Sequence, residues 1–581
     1  MKSVNARHDG PWATPRRTPR TAPLPAVLGV CLLAAGLPGC GMGEAPPAAE
    51  PFDVLITGAR IVDGAGNPWV RGDVGLRGDR IAAVGNLAGH PAARTIDAAD
   101  RVVSPGFIDM MGQSSVVLIT DPPSAESKLR QGITTYLSGE GGSAAPQSDA
   151  TQPWGLVVNG EELRWRTYAE YFAHVERIGI PINVVHDVGL TQVRRVVLGE
   201  EDVQPTPGQL EEMKALVRQA MEDGAVGTST SLIYPPAVYA TTEELVELTR
   251  VAGEYGGTYF THMRNESHSV LEAIREAIEI GVRAGTPVHI YHLKAAGQEN
   301  WPLMAEALAL IDSARVAGID VTADIYPYIR NGIGLGSFLH PRHYAGGRDP
   351  FLETLSDPAV RAELRREVET TADWENWYRH VGMDWDKVLI VSAPEEVGAR
   401  VINLSIAEAA EVLGTEAWEA FFDLVQAGGV SVNPESMNEE QKWQALRAEF
   451  VSIDTDASPV NPATTASSHP RAFGAFPRVI AKYVREDGIL SLEDAVRRMT
   501  SLAARRLGLA DRGLIAPGMA ADLVLFDPDQ VRDMARFGDA MRYAEGMDYV
   551  FVNGVPVIDD GALTEAQAGR LLRRETGAER R

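Results

Sequence analysis

Residues 259–297 read YFTHMRNESHSVLEAIREAIEIGVRAGTPVHIYHLKAAG, and this stretch decides the fold. It opens with a short apolar run that carries His262. Leu271, Ile274 and Ile278 then recur at three- and four-residue spacing. Glu272, Arg275 and Glu276 fill the other face and Gly285 ends the pattern, which predicts an amphipathic helix and its stop. A second strand follows over 288–294 and carries His292. Strand, helix, strand makes a βαβ unit, whose two strands run parallel. His262 and His292 therefore emerge at the same end of a sheet, the end where barrel enzymes carry their chemistry. A single histidine on a strand is more often a packed core residue than a ligand. Two at matched strand ends point to a metal site.

The same strand–helix alternation extends outward. Candidate strands lie at 102–109, 134–138, 182–187, 226–231, 259–263, 288–294, 321–326 and 450–455. Residues 206–223 predict a helix: Leu210, Met213, Leu216, Val217 and Ala220 share one face, Glu211, Glu212, Lys214 and Arg218 another, and Gly224 ends it. A closed eight-stranded barrel and an open doubly wound sheet both satisfy this pattern. No phosphate-binding glycine loop follows the first strand, which favours the barrel. At the edges the pattern changes. Short alternating runs at 52–58, 60–64, 73–77 and 80–85 have counterparts at 521–527 and 549–554, so the two ends are expected to meet in one small β domain. Residues 340–438 break the period with charged helical stretches and Trp374, Trp377 and Trp385, which predicts a subdomain inserted over one side of the barrel mouth.

The chain has 581 residues and a formal charge of −25, with no basic run in its body, which argues against nucleic acid as a partner. Its first forty residues differ in kind. A basic, proline-rich leader with Lys2, Arg7, Arg16, Arg17 and Arg20 precedes an apolar run over 26–37, the length of a signal-peptide core and short for a membrane span. That run ends in Leu37-Pro38-Gly39-Cys40, which resembles a lipobox, so Cys40 is expected to be the lipidated first residue of an exported protein. A signal peptide cleaved without lipidation is the competing reading, and the Arg16-Arg17 pair hints at twin-arginine export. The expected location is a bacterial membrane-anchored lipoprotein, on the periplasmic side or the cell surface, touching the membrane only through its anchor. The two cysteines are Cys31 in the leader and Cys40, which leaves none for a disulfide or a metal in the mature body.

Ordered along the chain are Ser104-Pro-Gly-Phe-Ile-Asp109, Gln131-Gly-Ile-Thr-Thr135, Ser231-Leu-Ile-Tyr-Pro235, Thr261-His-Met-Arg-Asn-Glu266 and His292-Leu-Lys-Ala-Ala-Gly297. Asp324-Ile-Tyr-Pro-Tyr328, Thr455-Asp-Ala457, His469-Pro-Arg471 and residues 512–522 follow. With this set the chain resembles the amidohydrolase superfamily and, within it, the N-acyl-D-amino-acid deacylases. The resemblance implies the α/β class: a distorted (β/α)8 TIM-like barrel with a small β-sandwich domain formed by both termini and an inserted subdomain. The expected boundaries are a signal peptide at 1–39, a flexible linker at 40–51, the β domain at 52–103 and 508–565, and the barrel at 104–507 with its insert at about 340–438.

The resemblance also implies roles. His262 and His292 correspond to zinc-ligand histidines, and Asp456 to the aspartate that acts as general base on the attacking water. Its neighbour Asp454 is the alternative register. Tyr234, Lys294 and Arg471 correspond to residues that hold the substrate carboxylate, a task suited to hydroxyl and cationic donors. Two departures from the pattern matter. Where the family has His-x-His after the first strand, this chain has Met111-Gly112-Gln113, and neither Met nor Gln is a good zinc ligand. Where the family has a cysteine ligand, the chain has Gly139-Glu140-Gly141-Gly142, so Glu140 is expected to supply an oxygen. Two histidines and a carboxylate form a common catalytic zinc set, with one Zn²⁺ per chain expected, although such a set also accepts other divalent metals.

The implied activity is hydrolysis of the amide of an N-acyl-D-amino acid or a related D-amino-acid peptide, on a small molecule with a free carboxylate. Alternatives are another amidohydrolase reaction, such as a cyclic amidase or a dipeptidase, and a non-catalytic ligand-binding lipoprotein. Oligomeric state is not legible in the sequence.

Overall fold

The computed structural model describes residues 50–573. Cys31, Cys40 and the rest of the leader lie outside the described residues, so the export and lipidation expectations concern the sequence alone.

Eight short parallel strands form the centre of the fold. They are β1 (Phe107–Asp109), β2 (Ile133–Ser138), β3 (Asn183–His186), β4 (Gly227–Ser231), β5 (Thr258–His262), β6 (Val288–Ile290), β7 (Val321–Ile325) and β8 (Val451–Ile453). β1 to β3 pair in order, and so do β4 to β8. Two joints complete the ring. Val188–Gly189 pairs with β4 while the Val226 N–H donates to the His186 carbonyl at 2.9 Å. The Met110 N–H donates to the Ile453 carbonyl at 3.4 Å and ties β8 to β1. That single long bond is the loose seam of a distorted barrel. Closure leaves no bare edge, which is why a barrel forms rather than an open sheet. Every residue of the eight strands is buried, polar ones included, and neighbouring strands pair some of these, as Thr230 Oγ1 does with Thr261 Oγ1 at 2.9 Å.

The helix expected over 206–223 is α1 (Pro207–Asp223). Thr206 caps it by accepting the Gln209 N–H, and Gly224 ends it in a left-handed conformation. The helix between the two histidine strands is α2 (Val270–Ala284). Its buried face is Val270, Ala273, Ile274, Ala277 and Ile280, with Leu271 and Ile278 at the margin, so the apolar stripe is rotated from the expected one. Ala273 and Ala277, set among Val270, Ile274 and Ile280, let the helix sit close to the barrel.

The expected strand 102–109 is two strands. Val102–Pro105 pairs antiparallel with Leu523–Phe526 in the terminal sheet, whereas β1 enters the barrel. Gly106 sits at the corner, where a Cβ would meet the Thr134 side chain at 2.2 Å. The terminal strands make one nine-stranded sheet that branches at Phe52–Ile61, which pairs with three neighbours and folds the sheet around Ile56, Leu76, Ile81, Leu523 and Phe551. Beyond residue 565 the chain returns to the barrel, and Leu571–Leu572 pairs with β3. The insert is built on an antiparallel sheet of Ile333–Gly334, Val388–Ser392 and Ser431–Pro434, so it begins before residue 340. Phe338, Trp377, Trp385, Trp418 and Phe421 form its separate core.

Candidate active site

Two of the side chains at the barrel mouth are delivered by backbone that few residues adopt. β6 ends at Ile290, four residues short of the expected limit, because the chain turns and His292 takes φ +36°. The Asp324 carboxylate holds this turn. It accepts the His292 N–H and lies 2.9 Å from His289 Nε2, whose Nδ1 is 2.7 Å from Thr322 Oγ1. Asp456 takes φ +43° directly after β8. There the Thr455 N–H and hydroxyl donate to Asp109, at 2.9 and 2.6 Å, while Lys128 Nζ donates to Asp109 at 2.7 Å and to the Ala457 carbonyl at 2.6 Å. Such conformations persist when the surroundings over-determine them, as these buried carboxylates do.

Glu140 follows β2 and reaches the same mouth. Its Oε1 lies 2.8 Å from His262 Nδ1 and 3.2 Å from His292 Nε2. One ligand atom from each of the three falls within 4.8 Å of the others. Zinc bonds to such atoms at about 2.0–2.2 Å, and two imidazoles with one carboxylate form a donor set it accepts, so these residues fit the ion. The other oxygen, Oε2, accepts from Gln113 Nε2 at 2.7 Å, and the same amide donates to Asp456 Oδ1 at 2.8 Å. Asp456 Oδ2 lies 2.6 Å from Arg471 Nη1, and the buried Arg471 Nε has no hydrogen-bond partner. Behind the histidines, Glu266 is 2.9 Å from His292 Nδ1, 3.5 Å from His262 Nε2 and 2.7 Å from Lys294 Nζ.

Burial works to raise the Glu140 carboxyl, but hydrogen bonds and charge from His262 and His292 outweigh it and hold the group well below the usual carboxylate range. Burial and the Lys294 charge lower His292, yet Glu266 and Glu140 win and raise it to about 9. A metal ion arriving there displaces a proton. Burial raises Asp456 against the opposing charge of Arg471, which moves a carboxylate toward the range useful for a base. Asp454 is raised well above its ordinary value by burial and by Asp324, which keeps it a proton-holding interior group. Glu375, from the insert, is pushed up to about 8 by burial and by the Glu266 charge, and it accepts the Glu266 N–H.

The structure thus brings Glu140, His262, His292, Asp456 and Arg471 together. Tyr234 and Lys294 line the same compartment, each beside one of the two histidines. Lys294 donates to both Glu266 oxygens at 2.7 Å and its Nζ lies 2.7 Å from His292 Nδ1, because a buried ammonium cannot leave its carboxylate without stranding two charges. Tyr234 stands edge-on to His262, with ring centroids 5.5 Å apart, on the side of the site where the insert begins. Gln113, Glu266, Glu375 and Trp377 line or brace the site without having been assigned a role in the sequence. Gln113 is legible as a position, since it ends the Met-Gly-Gln run, but nothing in the sequence shows that its amide joins two carboxylates. Glu266 falls four residues after His262, a spacing that marks it only once the turn after β5 is known. Trp377 belongs to the tryptophan-rich piece expected over the mouth, whereas Glu375 carries no local signal.

Residues 94–558 match the amidohydrolase family. The chain is 35% identical to an N-acyl-D-glutamate deacylase of Alcaligenes xylosoxydans xylosoxydans, over 90% of this chain and 97% of that one. Among solved structures it is similar to the N-acyl-D-glutamate deacylase from Bordetella bronchiseptica complexed with zinc and a phosphonate mimic of the tetrahedral intermediate. That match has a TM-score of 0.76 and 32% identity, over 90% of this chain and 100% of that one. It is also similar to a D-aminoacylase whose binuclear centre shows one-metal activation and second-metal attenuation, with a TM-score of 0.75, 32% identity and the same coverage.

Proposed function

Since this chain belongs to the amidohydrolase family, we propose that it is a zinc-dependent hydrolase that cleaves the amide bond of N-acyl-D-amino acids, with the ion held by Glu140, His262 and His292. The observation that carries this reading is the placement of Glu140 Oε1 against both imidazoles, with Asp456 joined to the same carboxylate through Gln113. A zinc ion bound there supplies Lewis-acid polarisation of a carbonyl and lowers the pKa of a water.

The remaining work belongs to the chain. Asp456 takes a proton from the attacking water and returns it to the nitrogen of the departing amino acid. Arg471, anchored on Asp456 and with Nε free, receives the substrate carboxylate and fixes the scissile amide beside that base. Lys294 acts through Glu266 to set the orientation of His292, the part an outer carboxylate plays for a ligating histidine. Trp377 and Ile333 of the insert close the mouth and exclude bulk water.

Elemental analysis of the protein lacking residues 1–40, joined to turnover of matched D- and L-configured acyl amino acids, dipeptides and cyclic amides, tests the reading. About one zinc per chain and cleavage confined to acyl-D-amino acids with a free carboxylate support it. Cleavage of cyclic amides or dipeptides alone moves it to another amidohydrolase reaction. No retained metal and no turnover leave a binding lipoprotein.

We also propose that Cys40 carries a lipid that anchors the exported protein, on the strength of Leu37-Pro38-Gly39-Cys40. Fatty-acid labelling of the full chain, lost in Cys40→Ser, tests this.

A further inference from the structure

The compartment enclosed at the metal centre is small. Lined by Glu140, His262, His292, Asp456 and Trp377 among others, it has a volume of about 40 Å³, far below the roughly 300–1,000 Å³ of pockets that take a whole ligand. An acyl amino acid does not fit in it, so part of the substrate has to lie elsewhere. Next to it is a cavity of about 750 Å³, within the roughly 300–1,000 Å³ typical of ligand pockets.

Tyr234 lines both spaces, and the strand Ile333–Gly334 divides them, with Ile333 on the small compartment and Gly334 on the large cavity. Residues on alternate faces of one strand serve the two spaces, and Tyr234 stands at the doorway. The inner wall of the large cavity is apolar and buried, built from Ile233, Leu335, Leu339, Leu424 and Val430. Charged side chains lie only at its exposed rim, where Arg195 and Glu200 pair at 2.7 Å. The inner wall holds no cation for a carboxylate, whereas Arg471 sits in the small compartment's surroundings with Asp456.

We infer that this cavity is an acyl-chain subsite and that the preferred substrates carry long, unbranched fatty acyl groups on a D-amino acid. The inference rests on the deacylase reading above and adds the class of acyl group. The carboxylate end is fixed by Arg471, the scissile amide lies at the zinc site, and the alkyl chain passes Tyr234 to run along Ile233, Leu335 and Val430. Each methylene buried there leaves water, and the gain accumulates with chain length until the cavity is filled.

The experiment measures kcat/KM on the zinc-loaded enzyme for one D-amino acid acylated with acetyl, hexanoyl, decanoyl and tetradecanoyl groups. A second series holds the acetyl group fixed and lengthens the apolar side chain. A rise of about two- to fourfold per methylene in the first series, carried by KM, is expected from the free energy of burying a methylene. Gly334→Phe supplies the control. Gly334 lines the cavity, has negative φ, and a Cβ there meets nothing within 4 Å, so the backbone accepts a ring at the cavity wall. This variant should cleave the acetyl substrate as before and lose the gain for decanoyl and tetradecanoyl. A flat first series, a gain that survives in Gly334→Phe, or a gain found only in the side-chain series overturns the subsite. Absence of turnover on every acyl-D-amino acid instead removes the deacylase reading on which it rests.

Discussion

Lys128 and Asp109 form an ion pair at 2.7 Å with both side chains wholly buried, beneath the turn that presents Asp456. Asp109 ends β1, the Thr455 that it accepts from follows β8, and Lys128 also holds the Ala457 carbonyl. The pair therefore clamps the barrel at its loose seam. Lys128→Met strands a buried carboxylate and should destabilise the protein by about 3–5 kcal/mol, read as a lower urea midpoint, with activity falling as the Asp456 turn relaxes.

Gln113 joins the zinc site to the base, since one amide serves Glu140 and Asp456. Gln113→Leu keeps the volume and removes the donor. Zinc affinity or kcat/KM should drop about 10–100-fold, as for other side chains that orient a metal ligand. Competition with a chelator and steady-state kinetics on the loaded enzyme separate the two effects.

Asp456→Asn keeps the hydrogen-bonding shape but cannot accept a proton. Zinc content should stay at the wild-type level while kcat falls about 10²–10⁴-fold. Loss of zinc together with activity would instead make Asp456 a ligand.

Glu140→Ala removes one of three donors and should abolish tight zinc binding. Glu140→Cys offers a thiolate, which zinc binds at about 2.3 Å, and should hold the ion again. Metal content after dialysis, compared between the two variants, reads the result.

Burial pushes the Asp187 carboxyl up to about 7, although Ser229 and Tyr291 hydroxyls donate to it. The unfolded chain releases this proton near pH 4 while the folded protein keeps it to about 7. The group's contribution to stability is whole below about pH 4 and declines by about 1.4 kcal/mol per unit as pH rises toward 7. Asp187→Asn should flatten that decline in urea midpoints measured from pH 4 to 8, with the wild-type and variant curves diverging toward the alkaline end.

Residues 259–297 alone determined a βαβ unit with two histidines at one sheet end, because a period of 3.6 between two apolar runs admits little else. Glu140 was also within reach of the sequence, as a carboxylate placed by the short strand before it. The left-handed turns at His292 and Asp456 were not, since most His and Asp residues keep φ < 0 and the carboxylates that hold these turns, Asp324 and Asp109, lie on other strands. The same holds for Lys294. A lysine two residues after a histidine reads as a free cation, and only the folded chain brings Glu266 against it. Local periodicity is written in neighbouring residues and fixes strands, helices and the end of the sheet where chemistry sits. Which buried charge meets which is decided by contacts between segments far apart in sequence, and there the low dielectric makes each pairing strong enough to set a side chain's role.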